Sequence, residues 1–194
     1  MRLFVALDLD ESIRRSIATY LEGMRGFTPD ARWTKPEALH VTLKFIGEKP
    51  EGEVSRIRNA LAAIRVPPIP LALQGYGFFP TVKAARVFWI GMEASAALPH
   101  LATQVDTALA MLGIPREEHT YTPHLTLARS GSAAPRLRRE ERPNARFQYL
   151  QEKLSALTLP DFGTMAAHEF YLFQSKLSPA GSQYSKLASF QLVS

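Results

Sequence analysis

Two short stretches carry residues able to do chemistry together. Residues 39–47 read LHVTLKFIG and residues 123–131 read PHLTLARSG. In each, a Thr follows the His by two positions, a Leu comes next, and a Gly lies seven residues after the His. With only 5 His in the chain, chance would supply about 0.3 His-x-Thr triplets, before any matching of flanks. Side chains two apart on a strand share a face, about 7 Å apart along the backbone. Leu39, Val41, Leu43 and Phe45 are therefore expected to face the core, leaving His40, Thr42 and Lys44 outward. Leu125 and Leu127 likewise point inward, with His124 and Thr126 outward. If the two strands flank a cleft, the site holds two imidazoles and two hydroxyls. That set suits in-line displacement at phosphorus. One neutral His takes a proton from the attacking oxygen and one charged His gives a proton to the leaving oxygen. The hydroxyls donate to the non-bridging oxygens.

The elements that must position these residues follow from periodicity. Residues 2–9 suit a strand. Asp10 stands where an N-cap belongs, before a helix to about residue 24 with Ile13, Ile17, Tyr20, Leu21 and Met24 on one face. After the first His strand, Pro50 suits the start of a helix whose stripe is Val54, Ile57, Leu61 and Ile64. Strands are expected at about 71–79 and 87–92. A helix marked by Leu98, Leu101, Val105, Leu109 and Leu112 is closed by Gly113. The second His strand leads into an Arg-rich loop, a short helix near 147–154, and strands near 155–159, 169–175 and 184–193. Each half thus has a helix, a His strand and further strands joined by short turns. The class is α+β with antiparallel sheets and a weak internal duplication.

A chain of 194 residues, 46% hydrophobic, can bury a real core, either as one large domain or as two small lobes. The N-terminal apolar run is short and is broken by Asp8, Asp10 and Glu11, unlike a secretory signal, so a cytoplasmic location is expected. No window is long enough for a membrane helix, and no membrane partner is expected. The absence of Cys removes disulfides, thiolate metal sites and a Cys nucleophile. A net charge of +5 leans toward anionic partners such as RNA or nucleotides.

The paired motifs resemble the two-histidine phosphoesterase superfamily. Further stretches are similar to its RNA 2′,3′-cyclic phosphodiesterase branch, also called 2′-5′ RNA ligases. They are MRLFVALDL, RWTKPEALHVTLKFIGE, FFP followed by ARVFWIG, YTPHLTLAR, and SKLSPAGSQYSKL, in the right order over nearly the whole chain. The resemblance implies one two-lobed domain spanning residues 1–194. In it, two related antiparallel sheets with flanking helices sit about a pseudo-two-fold axis, with the His pair facing a central cleft. It also implies an enzyme needing no metal or cofactor, which opens RNA 2′,3′-cyclic phosphate ends to 2′-phosphates and can run in reverse as a ligase. His124 would activate water and His40 would protonate the departing 3′-oxygen. Thr42, Thr126 and Arg129 would hold the phosphate. RNA with cyclic ends, tRNA fragments among them, would be the partner, and the protein is expected to act as a monomer.

Blander readings stand beside these. Metal binding by His40 and His124 lacks a His-x-x-x-His spacing or a carboxylate cluster. Arg129 follows inward Leu127 by two, so strict alternation turns it to the wrong face. Lys44 is a candidate to reach RNA phosphate from the face of His40, or an ordinary surface lysine. Phe79 is a candidate to stack a base, or a core ring. Arg136, Arg138, Arg139, Arg142 and Arg146 form either a solvated loop or an RNA-tracking patch. His100, His119 and His168 read as structural or solvated. Two other functions use the same residues: cleavage of small cyclic nucleotides or 2′-5′-linked oligonucleotides, and RNA-end binding without catalysis.

Overall fold

The run RLFVAL forms β1 (Arg2–Leu7), and every residue after Arg2 is buried. Leu3, Val5 and Leu7 join the main core, while Phe4 and Ala6 form a second apolar cluster with Phe173 on the opposite face. A strand covered on both faces needs no polar alternation. β1 is an inner strand of a four-stranded antiparallel sheet, order β3-β1-β8-β9, with β3 at Val41–Glu48, β8 at Glu169–Ser178 and β9 at Gly181–Gln191. The second sheet, also antiparallel, has order β2-β6-β5-β4-β7. Its strands are β2 (Ala31–Trp33), β4 (Ile69–Phe79), β5 (Val87–Ala94), β6 (His124–Ser130) and β7 (Asp161–Ala167). This computed structural model describes residues 1–130, 147–178 and 181–193. The five arginines from Arg136 to Arg146 lie outside the described residues.

The duplication is visible in the topology. β1, helix α1 (Glu11–Arg25) and β3 form one strand–helix–His-strand unit, with β1 and β3 antiparallel neighbours. β5, helix α3 (Ala97–Ala110) and β6 repeat it. The helices are exchanged between the sheets: α1 packs on β7, where Tyr20 meets Phe162 edge-on at 5.2 Å, and α3 packs on β3. The main apolar cluster therefore takes in both sheets together with Ile13, Ile17 and Leu21 of α1 and Leu98, Leu101 and Val105 of α3. The two-sheet α+β architecture expected from the sequence is the one observed.

Local boundaries differ in three places. Asp10 sits at the N-cap of α1, but its carboxylate makes no capping bond. Helix α2 (Val54–Ala62) is preceded by a 3₁₀ turn at Glu51–Glu53. The strand expected at 155–159 is instead the end of helix α4 (Gln148–Ser155) and a turn; the true strand, β7, starts at Asp161. Gly113 does end α3, with φ +79, which a side chain would disfavour. No described helix is long and apolar enough to cross a membrane.

Candidate active site

His40 stands just before β3 and His124 opens β6, and the two are held alike. His40 Nδ1 lies 2.8 Å from the carbonyl of Ala38, and His124 Nδ1 lies 2.8 Å from the carbonyl of Thr122. A carbonyl only accepts, so each ring donates from Nδ1 and leaves the Nε2 lone pair free. His40 is walled by Phe4 at 4.8 Å, Tyr184 edge-on at 5.1 Å and Phe173 at 6.3 Å between ring centroids. His124 has Phe79 edge-on at 5.0 Å and Trp89 at 6.3 Å. Thr42 and Thr126 are half-buried beside them.

Both His strands break alternation at the same place. On β1, consecutive Val5 and Ala6 pair with Lys44 and Thr42, so Leu43 is an extra residue. On β5, consecutive Phe88 and Trp89 pair with Ala128 and Thr126, so Leu127 is an extra residue. Such a bulge puts two successive side chains on the same face and re-aims the residues beyond it. Leu43 and Lys44 are buried and Phe45 turns out, 61% exposed; Leu127 and Ala128 are buried and Arg129 turns out.

This resolves the face of Arg129 and corrects two expectations. Lys44 does not share the face of His40. Its side chain is 1% exposed, and its ammonium donates to Asp106 at 2.6 Å and to the Pro115 carbonyl at 2.8 Å. That pairing ties β3 to α3 and leaves Lys44 unable to reach a phosphate in the cleft. Phe45, expected in the core, lies on the site's face, its ring 6.1 Å from Phe4. It is the residue missed by sequence reasoning, and its signal lies in the partner strand's register. Phe79 is half-buried beside His124 and Trp89. His100, His119 and His168 are all exposed.

Cross-links hold the two motifs together. Tyr121 Oη donates to the Thr42 carbonyl at 3.1 Å, and the Thr34 amide donates to the Leu127 carbonyl at 2.7 Å. The segment before each His is thus bonded to the strand of the other. Arg14 of α1 donates to the carbonyls of Pro36 at 2.6 Å and Leu39 at 3.2 Å, on either side of the Ala38 carbonyl that holds His40. Its other nitrogen pairs with Asp8, which also pairs with Lys186 at 2.5 Å.

Burial among the rings pushes the His40 imidazole down to about 4; Arg129 and Arg14 add to this, while the Ala38 carbonyl and Asp8 oppose it. Burial also lowers His124, with the Thr122 carbonyl opposing and Arg129 adding to the fall. One guanidinium therefore acts on both imidazoles. An anion seated against it would oppose that action and favour the charged form of both rings. Among the described residues, no group of three or more His, Cys, Asp or Glu is placed to hold a metal ion.

Comparisons with known proteins place the chain in a family. Residues 12–161 match the model of the 2′-5′ RNA ligase superfamily. The chain belongs to that superfamily. An RNA 2′,3′-cyclic phosphodiesterase of Archaeoglobus fulgidus is 34% identical over 191 residues, covering 98% of this chain and 100% of the relative. Among solved structures, TT0787 of Thermus thermophilus superposes with a TM-score of 0.77 at 29% identity, covering 99% of this chain and 98% of that one. Escherichia coli LigT complexed with 3′-AMP also has a TM-score of 0.77, at 26% identity, covering 100% of this chain and 98% of that one. The superfamily assignment thus takes in both His motifs, and the relatives' likeness extends over the whole chain.

Proposed function

We propose that the chain hydrolyses RNA 2′,3′-cyclic phosphate ends to 2′-phosphate ends, with His124 as general base and His40 as general acid. The observation that carries this reading is the matched pair of imidazoles, each tethered through Nδ1, with Arg129 acting on both. The name of the Archaeoglobus relative and the 3′-AMP in the LigT complex point the same way.

The cyclic diester seats its anionic oxygens against Arg129 and the hydroxyls of Thr42 and Thr126. The substrate's negative charge, together with Asp8, favours the charged form of His40, which the acid's role requires. Water attacks phosphorus while His124 Nε2 accepts its proton. The P–O3′ bond breaks, and His40 Nε2–H gives its proton to O3′. The order of the two roles follows the family resemblance, in which the second His is the base and the first the acid. The products are a 2′-phosphomonoester and a free 3′-hydroxyl, and the two rings re-equilibrate with solvent. Phe45 offers an exposed ring on the first lobe for the terminal base, with Phe79 on the second. With a 5′-hydroxyl in place of water as the nucleophile, the same groups would join ends: the new bond is P–O5′, the P–O3′ bond breaks, and a 2′-5′ linkage with a free 3′-hydroxyl results.

The test is turnover of an oligoribonucleotide with a 2′,3′-cyclic end in the presence of EDTA, with the product identified by ³¹P NMR as the 2′-phosphate. His40→Ala and His124→Ala should each lose about 10²–10⁴-fold in kcat, and the double variant should be little worse than the worse single one. Thr42→Val and Thr126→Val should lose less, on the order of 10–10³-fold. Near wild-type kcat in either folded His variant, or loss of activity with chelator that Zn²⁺ or Mn²⁺ restores, would overturn the mechanism.

A further inference from the structure

Arg32 occupies a position that the catalytic reading leaves unused. In β2 it pairs directly opposite Arg129 of β6. Directly paired residues in an antiparallel ladder share a face, and like charges there repel. The flanking residues confirm which face: Ala31 is buried, and Trp33 turns inward to meet Phe88 edge-on at 6.1 Å. Both arginines are exposed, and among the described residues neither has a carboxylate within ion-pair reach. The strand that carries Arg32 is only three residues long but is anchored on both sides. Trp33 Nε1 donates to the Thr28 carbonyl at 3.0 Å, and the Thr34 amide donates to the Leu127 carbonyl at 2.7 Å. Two guanidiniums without a carboxylate partner among the described residues are therefore carried side by side, about 4.8 Å apart at the backbone.

A charge count identifies the ligand. A cyclic phosphodiester carries one negative charge, and Arg129 with the two Thr hydroxyls already serves its two anionic oxygens. A second guanidinium is surplus for a cyclic mononucleotide. It is matched once the substrate carries one more phosphodiester.

We propose that Arg32 is a second phosphate-binding group, one strand out from Arg129, that takes the internucleotide phosphate next to the cyclic end and so favours RNA chains over cyclic mononucleotides. This deepens, and rests on, the cyclic phosphodiesterase reading given above. Partial desolvation, and then the like charge of Arg32 against the pull of Tyr184, hold the Arg129 guanidinium below its ordinary value. A second anion would relieve that repulsion for both groups.

The experiment compares wild type with Arg32→Gln and Arg32→Lys on two substrates, a cyclic-ended oligoribonucleotide and a 2′,3′-cyclic mononucleotide, over a range of salt. For Arg32→Gln, KM for the oligonucleotide should rise roughly tenfold at low salt, and its log–log salt slope should flatten by about 0.7, the value of one single-strand phosphate contact. KM for the mononucleotide, which feels only a more distant lost charge, should rise about twofold. Arg32→Lys keeps the charge and should retain most of the salt slope. An equal rise for both substrates, or no rise for either, would overturn the proposal. Wild type inactive on both substrates would remove the reaction instead. The same comparison would then be read from Kd for a 2′-phosphate-ended oligonucleotide and for 2′-AMP, with the same ratios deciding.

Discussion

Gly77→Ala tests whether the second lobe's aromatic wall holds His124 in place. Gly77 of β4 pairs with Trp89 of β5, and the indole lies across it. A Cβ at Gly77 would stand 2.2, 2.4 and 2.7 Å from indole carbons Cζ2, Cη2 and Cε2. Ordinary contact begins at 3.4 Å, so the ring must move by at least 3.4 − 2.2 = 1.2 Å. Gly77 lacks a positive φ, so alanine is permitted by the backbone and the clash alone is tested. The indole's ring neighbours are Phe79, at 5.0 Å, and His124, at 6.3 Å between centroids, so a shift of this size is expected to disturb the packing around His124.

Overpacking of this kind costs about 1–3 kcal/mol, and the reduced chain entropy of alanine returns about 0.4–1 kcal/mol. A net loss of roughly 1–2 kcal/mol lowers Tm by about 2–8 °C in a domain of this size. A displacement of about 1 Å at a catalytic group can cost up to about 10²-fold. On cyclic-ended RNA at a temperature well below either Tm, kcat should accordingly fall about 10-fold or more, with a smaller change in KM. The double variant Gly77→Ala/Trp89→Leu removes the ring that clashes, so on the Trp89→Leu background Gly77→Ala should cost little in either measure. Additive effects of the two substitutions, or an unchanged Tm and kcat for Gly77→Ala alone, would refute the reasoning.

Two further outcomes follow from the first lobe. An unfolded His titrates near 6.5 and folded His40 near 4, so between those values the unfolded chain binds more protons and stability must fall as pH drops. Denaturant titrations should show wild type losing up to about 3 kcal/mol more than His40→Gln between pH 6.5 and 4, and equal losses would count against a buried neutral His40. Arg14 braces the backbone on either side of the Ala38 carbonyl, so Arg14→Met should lower kcat roughly 10–100-fold with KM little changed. It should also raise the pH limb belonging to His40, since a neighbouring positive charge is gone; an unmoved pH profile would reduce Arg14 to a fold-stabilising role.

The candidate quartet of two His and two Thr was legible because the step from His to Thr spans only two residues, and no irregularity intervenes. One residue further on, the same alternation fails. A bulge is decided jointly by two strands, and a single strand read with period two cannot contain it. So Lys44 read as outward, although its partner Asp106 lies 62 residues away on α3, and Phe45 read as inward. The misplaced β7 has a related cause. Leu157 and Leu159 give 155–159 the look of a strand, yet they are 52% and 67% exposed. β2, at three residues, is too short to show any period at all. What the paired bulges accomplish is chemical. Without them the position five after each His would point into the core, and two copies of His-x-Thr would make a nearly symmetric site. With them, that position faces the cleft in both lobes, and the copies differ there: phenylalanine after His40, arginine after His124. In the proposed mechanism the symmetric part supplies an acid and a base, which a displacement at phosphorus needs in equal number. On the same proposal the asymmetric part offers charge for a phosphate on one side and a ring for a base on the other, which is the asymmetry of a nucleotide.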